Sequence, residues 1–446
     1  MAHRNCGGSL TVLAFAAVGL GLSAPAAWAT DGYFQNGYGA RHQSLAGAGA
    51  ASSTDATAAA LNPAGLVHAP SNEFDVSLSL FMPYREVTGG GTPGITPLGT
   101  TKSQDNIFYI PNMAWSKKVN TPLFDTFGLT VYGNGGMETN YPAFGRPAPN
   151  CSPAGGSGVF CFGQMGISLQ QMLISAAFAK TIAPGISVGV APILARQTIE
   201  VKGLGAFGQA SNDVAHLSDQ GTNEAWGSGV RAGVEAALTN NVRFGLTGSS
   251  PIYMQKFNDY RGLFADQGAF NIPASLQAGV AVDVMPSLTL MADYKHIWYG
   301  SVASIANPSA NILNCPGFGG ADPSQCLGGA NGPGFGWKDV DVIKLGAEWR
   351  TNTDLTLRAG YSYNTNPITS PDVMFNIIAP GVVQNHFTTG FQYRVMPNMD
   401  FELDGIYVPR TTVSGTELPG FATSHTIDIS MQQFEVTAGI KYRLGQ

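Results

Sequence analysis

Six very short turns alternate with seven longer loops along this chain. The short turns fall near Asn120–Pro122, Pro184–Gly185, Asn240–Asn241, Pro286–Ser287, Asn352–Thr353 and Pro397–Asn398, and the segments between them are Gly-rich and polar, up to the long stretch Asn307–Gly336. This punctuation marks off fourteen candidate strands, most of which alternate apolar with polar residues. An even strand number, tight turns at one end and longer loops at the other describe a bacterial outer-membrane barrel. A soluble sandwich has no reason to sort its loops by length in strict alternation.

Facing follows from the period of two. In the last strand Phe434, Val436, Ala438, Ile440, Tyr442 and Leu444 share one face, and Gln433, Glu435, Thr437, Gly439, Lys441 and Arg443 the other. A Lys or Arg side chain at mid-membrane costs ~2–4 kcal/mol, so the first set must face lipid. Likewise Phe387, Thr389, Phe391 and Tyr393 are expected outside, with His386, Gln392 and Arg394 inside. Leu276, Val280 and Val282 are also expected outside, and the same parity adds Ile272. Pro111 and Pro192 interrupt two less regular segments. Each lacks a ladder donor and marks a bulge, kink or strand end, where the wall could open. Tyr84, Trp115, Trp298, Tyr299, Trp349 and Tyr442 recur near strand ends and suit interfacial girdles.

The N-terminus reads as a secretory signal over residues 1–29. Arg4 supplies the charge, Leu10–Leu22 the apolar core and Ala27-Trp28-Ala29 the cleavage site. Charged residues make up only 12% of the chain and the net charge of −6 includes no basic block, which leaves nucleic-acid binding without support. After Cys6 leaves with the signal, four cysteines remain as two close pairs, Cys151/Cys161 and Cys315/Cys326, in loops expected outside the cell. An oxidising compartment makes two local disulfides the default, and neither pair has the neighbours of a zinc site. No metal or cofactor is expected.

Residues 30–70 do not alternate. They are rich in small residues, and Asp55–Leu61 favours a short helix that Ser53 or Thr54 could cap and Pro63 would end. Such a segment suits a plug inside a fourteen-strand lumen that would otherwise stand open. Residues 71–446 would then form the barrel. The run Gly39-Ala40-Arg41-His42-Gln43-Ser44-Leu45-Ala46-Gly47-Ala48-Gly49, then Asp55-Ala56-Thr57-Ala58-Ala59 and Asn62-Pro63-Ala64-Gly65-Leu66, resembles the N-terminal hatch of the long-chain fatty acid outer-membrane transporters, the FadL family, which includes channels for aromatic hydrocarbons. Ala379-Pro380-Gly381-Val382-Val383, His386 and Gly390-Phe391-Gln392-Tyr393 are similar to its C-terminal strands. The family commonly ends in an aromatic residue, whereas Leu444-Gly445-Gln446 stands here.

The resemblance implies an all-β, fourteen-stranded transmembrane barrel with a hatch in its lumen, in the outer membrane of a Gram-negative bacterium. It also implies passive uptake of hydrophobic small molecules, long-chain fatty acids first and aromatic hydrocarbons as the alternative. The molecules would pass by loop capture, a lumen pocket and hatch movement. Asn62, Pro63, Ala64 and Gly65 match the hatch motif. Leu204, Phe207, Leu263, Phe264 and Phe270 are apolar residues in polar loops and are the candidate capture surface. A carboxylate ligand would want a lumen cation. Arg231, Arg243, Lys295, Lys344 and Arg358 qualify by parity, although each can be paired instead with an acid such as Glu235, Asp283, Asp293 or Glu348. Membrane lipid is the expected surround and a monomer the expected state. A general diffusion porin would have no plug. A barrel enzyme would need a nucleophile beside His386, and none flanks it.

Overall fold

A computed structural model describes residues 30–119, 121–148, 151, 155–418, 421 and 424–445. The expected signal and Asn120 lie outside the described residues. The strands are β1 (Glu73–Gly91), β2 (Phe108–Lys118), β3 (Thr126–Tyr141), β4 (Met165–Ala183), β5 (Ile186–Lys202), β6 (Asn223–Ala237) and β7 (Val242–Ser249), followed by β8 (Ser275–Met285), β9 (Leu288–Ile297), β10 (Val340–Arg350), β11 (Leu355–Asn364), β12 (Asn385–Met396), β13 (Met399–Thr416) and β14 (His425–Arg443). Each pairs antiparallel with the next, and β14 closes the barrel on β1 from Glu73 opposite Arg443 to Gly91 opposite His425. A closed wall satisfies backbone groups between strands, as a lipid surround demands.

The parity rule holds along β14. Phe434, Val436, Ile440 and Tyr442 are exposed to the surround, while Gln433, Glu435, Thr437 and Lys441 are buried in the lumen. Two residues depart from the expected facing. Ile272 lies before β8, is buried, and bridges Ile252 within the loop, because strand pairing starts only at Ser275. Tyr299 is not a girdle residue. It follows the end of β9, turns inward and packs on Tyr33 and Trp337 with centroids 5.1 and 5.3 Å away.

Residues 30–53 and 55–66 are buried inside the barrel. They form a small hairpin of Thr30–Asp31 with Phe34–Gln35, helix α1 (Gly39–Ser44), and two short 3-10 helices, Ala56–Ala60 and Pro63–His68. The cap of the first 3-10 helix is Asp55, not Ser53 or Thr54. Its carboxylate accepts from Thr57 N at 3.1 Å, which satisfies a donor that the helix itself cannot. Pro63 does more than end that helix. It opens the next one at its first position, where a fixed φ and a missing N–H cost nothing, and Asn62 Oδ1 accepts from Ala64 N at 3.2 Å.

The two prolines mark different defects. Pro192 leaves the β4–β5 ladder unpaired between Val190–Phe178 and Ile193–Ser175 without changing register, and its pairing on the β6 side is continuous. Pro111 lies just beyond Met113, where β2–β3 pairing stops although β2 stays paired with β1 as far as Phe108. Residues 108–112 of β2 and 132–137 of β3 therefore face each other without a ladder.

Candidate functional site

Polar side chains that parity places in the lumen meet the plug. Asp31 lies 3.0 Å from Lys344 Nζ and 3.2 Å from Lys295 Nζ. Lys344 also donates to Asn36 Oδ1 at 2.6 Å and Ala46 O at 3.1 Å. Arg41 reaches Glu348 at 3.0 Å, and Glu348 in turn holds Arg358 at 2.8 Å. Asp293 accepts from the backbone N–H groups of Gly49 and Ala50 at 3.0 and 2.8 Å. Gln43 donates to Glu435 at 2.7 Å. Removing one partner of a buried pair leaves an uncompensated charge, so these links hold the plug in one register.

The motif Asn62-Pro63-Ala64-Gly65 docks closely on the barrel wall along this seam. Asn62 Nδ2 donates to Ala50 O at 2.6 Å and to Val234 O of β6 at 3.2 Å. Gly233 admits this approach, since a Cβ there would stand 2.0 Å from Asn62 Oδ1. Gly189 does the same for the Pro63–Ala64 peptide, with a Cβ falling 2.4 Å from Pro63 C.

Of the lumen cations, Lys295, Lys344 and Arg358 engage acids as above, and Arg243 binds Asp283 at 2.6 Å. Arg231 has no carboxylate partner among the described residues. It donates to Ala60 O, to Ser249 Oγ at 2.8 Å and to Tyr132 Oη at 3.2 Å. Strand parity cannot name Asp31 among the partner acids, because Asp31 belongs to the plug.

Of the cavities that meet the plug and the loops, two are rich in aromatic side chains. The first is formed by the extracellular loops, and Leu204, Phe207, Leu263 and Phe264 all line it together with Phe160, Leu327, Phe335, Phe375 and Ile378. Phe207 is central, edge-on to Phe160 at 5.2 Å and to Phe375 at 5.3 Å. Among the described residues no charged side chain lines this space. Phe270 stands behind it, fully buried against Phe264 at 5.1 Å. The candidate capture residues Leu204, Phe207, Leu263 and Phe264 are therefore buried around a pocket instead of lying on an open surface. The structure joins Cys151 to Cys161 and Cys315 to Cys326, and the second bond anchors the loop that carries Leu327.

The second cavity lies in the lumen against Gly32 and Tyr33 of the plug, Phe81, Met137, Trp337 and Met431, with Arg85 and Glu138 also at its wall. Phe81 belongs to β1, beside the unpaired part of β2, and Met137 to the unpaired part of β3, so this cavity sits inside the gap. Asn134 bulges out of the β3–β4 register there. The plug covers the same place, with Phe34 opposite Gly135 and Gly136 N donating to Tyr33 O at 3.1 Å.

Residues 23–414 match the family described as outer membrane protein transport protein (OMPP1/FadL/TodX). The chain belongs to this family. No curated protein matches the sequence. The toluene transporter TodX of P. putida has the same fold, with a TM-score of 0.66 at 18% identity over 92% of this chain and 99% of that one. The Ralstonia pickettii toluene transporter TbuX superposes with a TM-score of 0.60 at 16% identity, over 92% and 98% of the two chains. A Pseudomonas aeruginosa FadL homologue gives 0.63 at 14% identity, over 92% and 98%.

The chain is thus a hydrophobic-compound channel of the FadL/TodX family in the outer membrane, and that family consists of transport channels. Within this FadL/TodX chain the lumen cavity is largely invisible to sequence reasoning. Ala379–Gly381 stand out in the sequence only by family likeness, yet they line it. Phe81 follows from β1 parity. Trp337 lies in an aperiodic loop and carries no signal.

Proposed function

We propose that this channel takes up uncharged hydrophobic molecules of aromatic-hydrocarbon size. The observation that carries this reading is the aromatic loop cavity with no charged side chain in its described lining. A neutral apolar solute gains ~25 cal/mol for each Å² it removes from water there, whereas a carboxylate would lose hydration with no cation in reach. The molecule is captured beneath Phe207, passes to the lumen cavity, and leaves through the interrupted β2–β3 ladder when the hairpin at Tyr33–Phe34 moves aside. The paired state of Arg243, Lys295, Lys344 and Arg358 supports the same ligand class. The toluene transport stated for two structures of the same fold agrees with it.

One observation favours long-chain fatty acids as the second reading. Arg85 lines the lumen cavity, is buried, and has no carboxylate at ion-pair distance among the described residues; it donates to Ser103 Oγ at 3.1 Å. A carboxylate head could dock there with its tail along Phe81 and Met431.

Uptake of radiolabelled toluene and oleate separates the readings, in cells that lack their own hydrophobic-compound channels, with and without this gene. Toluene entry above the vector background is expected. Oleate entry alone transfers the assignment to fatty acids. Entry of small hydrophilic solutes with neither apolar probe overturns both in favour of a porin.

A further inference from the structure

Two chain segments run between the loop cavity and the lumen cavity, and each contributes near-neighbours in sequence to both linings. Phe335 lines the loop cavity and Trp337 the lumen cavity; Ile378 lines the loop cavity and Ala379–Gly381 the lumen cavity. We propose that the Trp337 indole, latched by Asn376, is the partition between capture and lumen, and that its bulk sets the largest molecule that passes.

The latch is built from buried hydrogen bonds. Trp337 Nε1 donates to Asn376 Oδ1 at 2.6 Å, and Asn376 Nδ2 donates to Phe335 O at 2.6 Å and to Asp372 O at 2.8 Å. Both side chains are buried. The ring is seated by the bare backbone of Gly381, where a Cβ would come within 2.7 Å of its outer edge. Opening requires the indole to leave this seat and break one side-chain hydrogen bond, a motion of the size expected for a gated side chain rather than a loop rearrangement.

The partition also touches the plug. Trp337 packs on Tyr33 at 6.0 Å and on Tyr299 at 5.3 Å. The Tyr299 hydroxyl accepts from Tyr33 N at 3.0 Å and donates to Asp31 O at 2.7 Å. Swinging the indole toward the lumen therefore presses on the hairpin that covers the ladder gap. Entry to the lumen cavity and release from it share one aromatic cluster.

This inference rests on the hydrophobic-uptake reading above, and the experiment keeps the two apart. Initial uptake of radiolabelled toluene and naphthalene is measured for wild type, Trp337→Ala, Trp337→Phe and Asn376→Ala. Each variant is first shown to be a folded barrel by heat-modifiable migration. Trp337→Ala is expected to raise the naphthalene-to-toluene rate ratio severalfold, and Trp337→Phe to raise it less. Asn376→Ala frees the indole and is expected to raise both rates on the order of tenfold, the weight of one net hydrogen bond, with the ratio little changed. A folded Trp337→Ala that takes up toluene at an unaltered ratio overturns the partition while leaving the uptake reading intact. If Trp337→Ala does not fold, the Trp337→Phe ratio decides: a rise supports the partition and an unaltered ratio overturns it. Wild type that takes up neither probe overturns the uptake reading, and the partition with it.

Discussion

Asp55 Oδ2 stands 2.7 Å from Lys441 Nζ, a contact between the cap of a plug helix and the last strand of the barrel, separated by most of the chain. Lys441 also reaches Glu402 at 3.2 Å and Asp75 at 3.7 Å, so one ammonium is shared among three buried carboxylates. The two oxygens of Asp55 divide the work, since Oδ1 caps the helix at Thr57 and Oδ2 holds the strand.

Lys441→Met is expected to cost about 3–5 kcal/mol of barrel stability, because it strands Asp55 and Asp75 in the buried lumen while Glu402 keeps Arg358. Asp55→Asn should cost less, since Lys441 keeps Glu402. Urea midpoints of heat-modifiable migration for the two variants check the order; equal midpoints would show that the cluster is not shared as described.

Asn62→Ala removes a helix cap together with the donors to Ala50 and Val234. A lost cap alone costs about 0.5–2 kcal/mol. The expected result is faster amide exchange over residues 50–68 with the strand amides unaffected. Protection that spreads its loss into β6 would instead place Asn62 in the wall's own stability.

Gly233→Ala drives a methyl into Asn62, whose side chain is already tied to Ala50 and Val234 and cannot yield without breaking those bonds. The plug should shift from β6 and the variant should resemble Asn62→Ala in exchange and in toluene uptake. Combining the two changes should add little, as their effects meet at one contact. Fully additive effects would argue against it.

Asp213 ties the two candidate capture loops together, accepting from His216 Nδ1 at 2.9 Å and from Arg261 Nε at 2.8 Å. The hydrogen bond from His216 and then Arg261 hold its carboxyl below the usual range. A depressed carboxyl stabilises the loops above its unfolded value and loses that contribution as pH falls through the folded one. Apolar-probe affinity should therefore drop under strongly acidic conditions. Asp213→Asn should show the lower affinity already at neutral pH and little further change.

Joint Cys315→Ser and Cys326→Ser is expected to remove about 3 kcal/mol of constraint from the loop that carries Leu327 and Phe335. Toluene affinity should fall while barrel migration on gels is retained. Loss of barrel assembly would give the bond a folding role beyond the loop.

Turn spacing and residue parity made the barrel legible, because a lipid surround tolerates few charges on one face and tolerates no open edge. Lys441 and Arg443 set the facing of β14 without any reference to three dimensions. That Leu204, Phe207, Leu263 and Phe264 belong together was legible for a weaker reason, as apolar residues in polar loops, and they line one pocket. Phe270 met the same criterion and serves as packing behind them. Ile272 and Tyr299 escape the parity rule because each lies beyond the paired part of its strand, where the period no longer dictates direction.

The sequence by itself determined strand number, facing and the presence of a small-residue plug, since all three rest on local periodicity and composition. Only the tertiary structure decided what each inward charge does. Asp31 meets Lys344, and Trp337 meets Asn376 and Tyr33, across separations that no period encodes. Which cations are neutralised and where the two cavities are divided depend on the plug's docking against many strands at once, a product of packing rather than pattern.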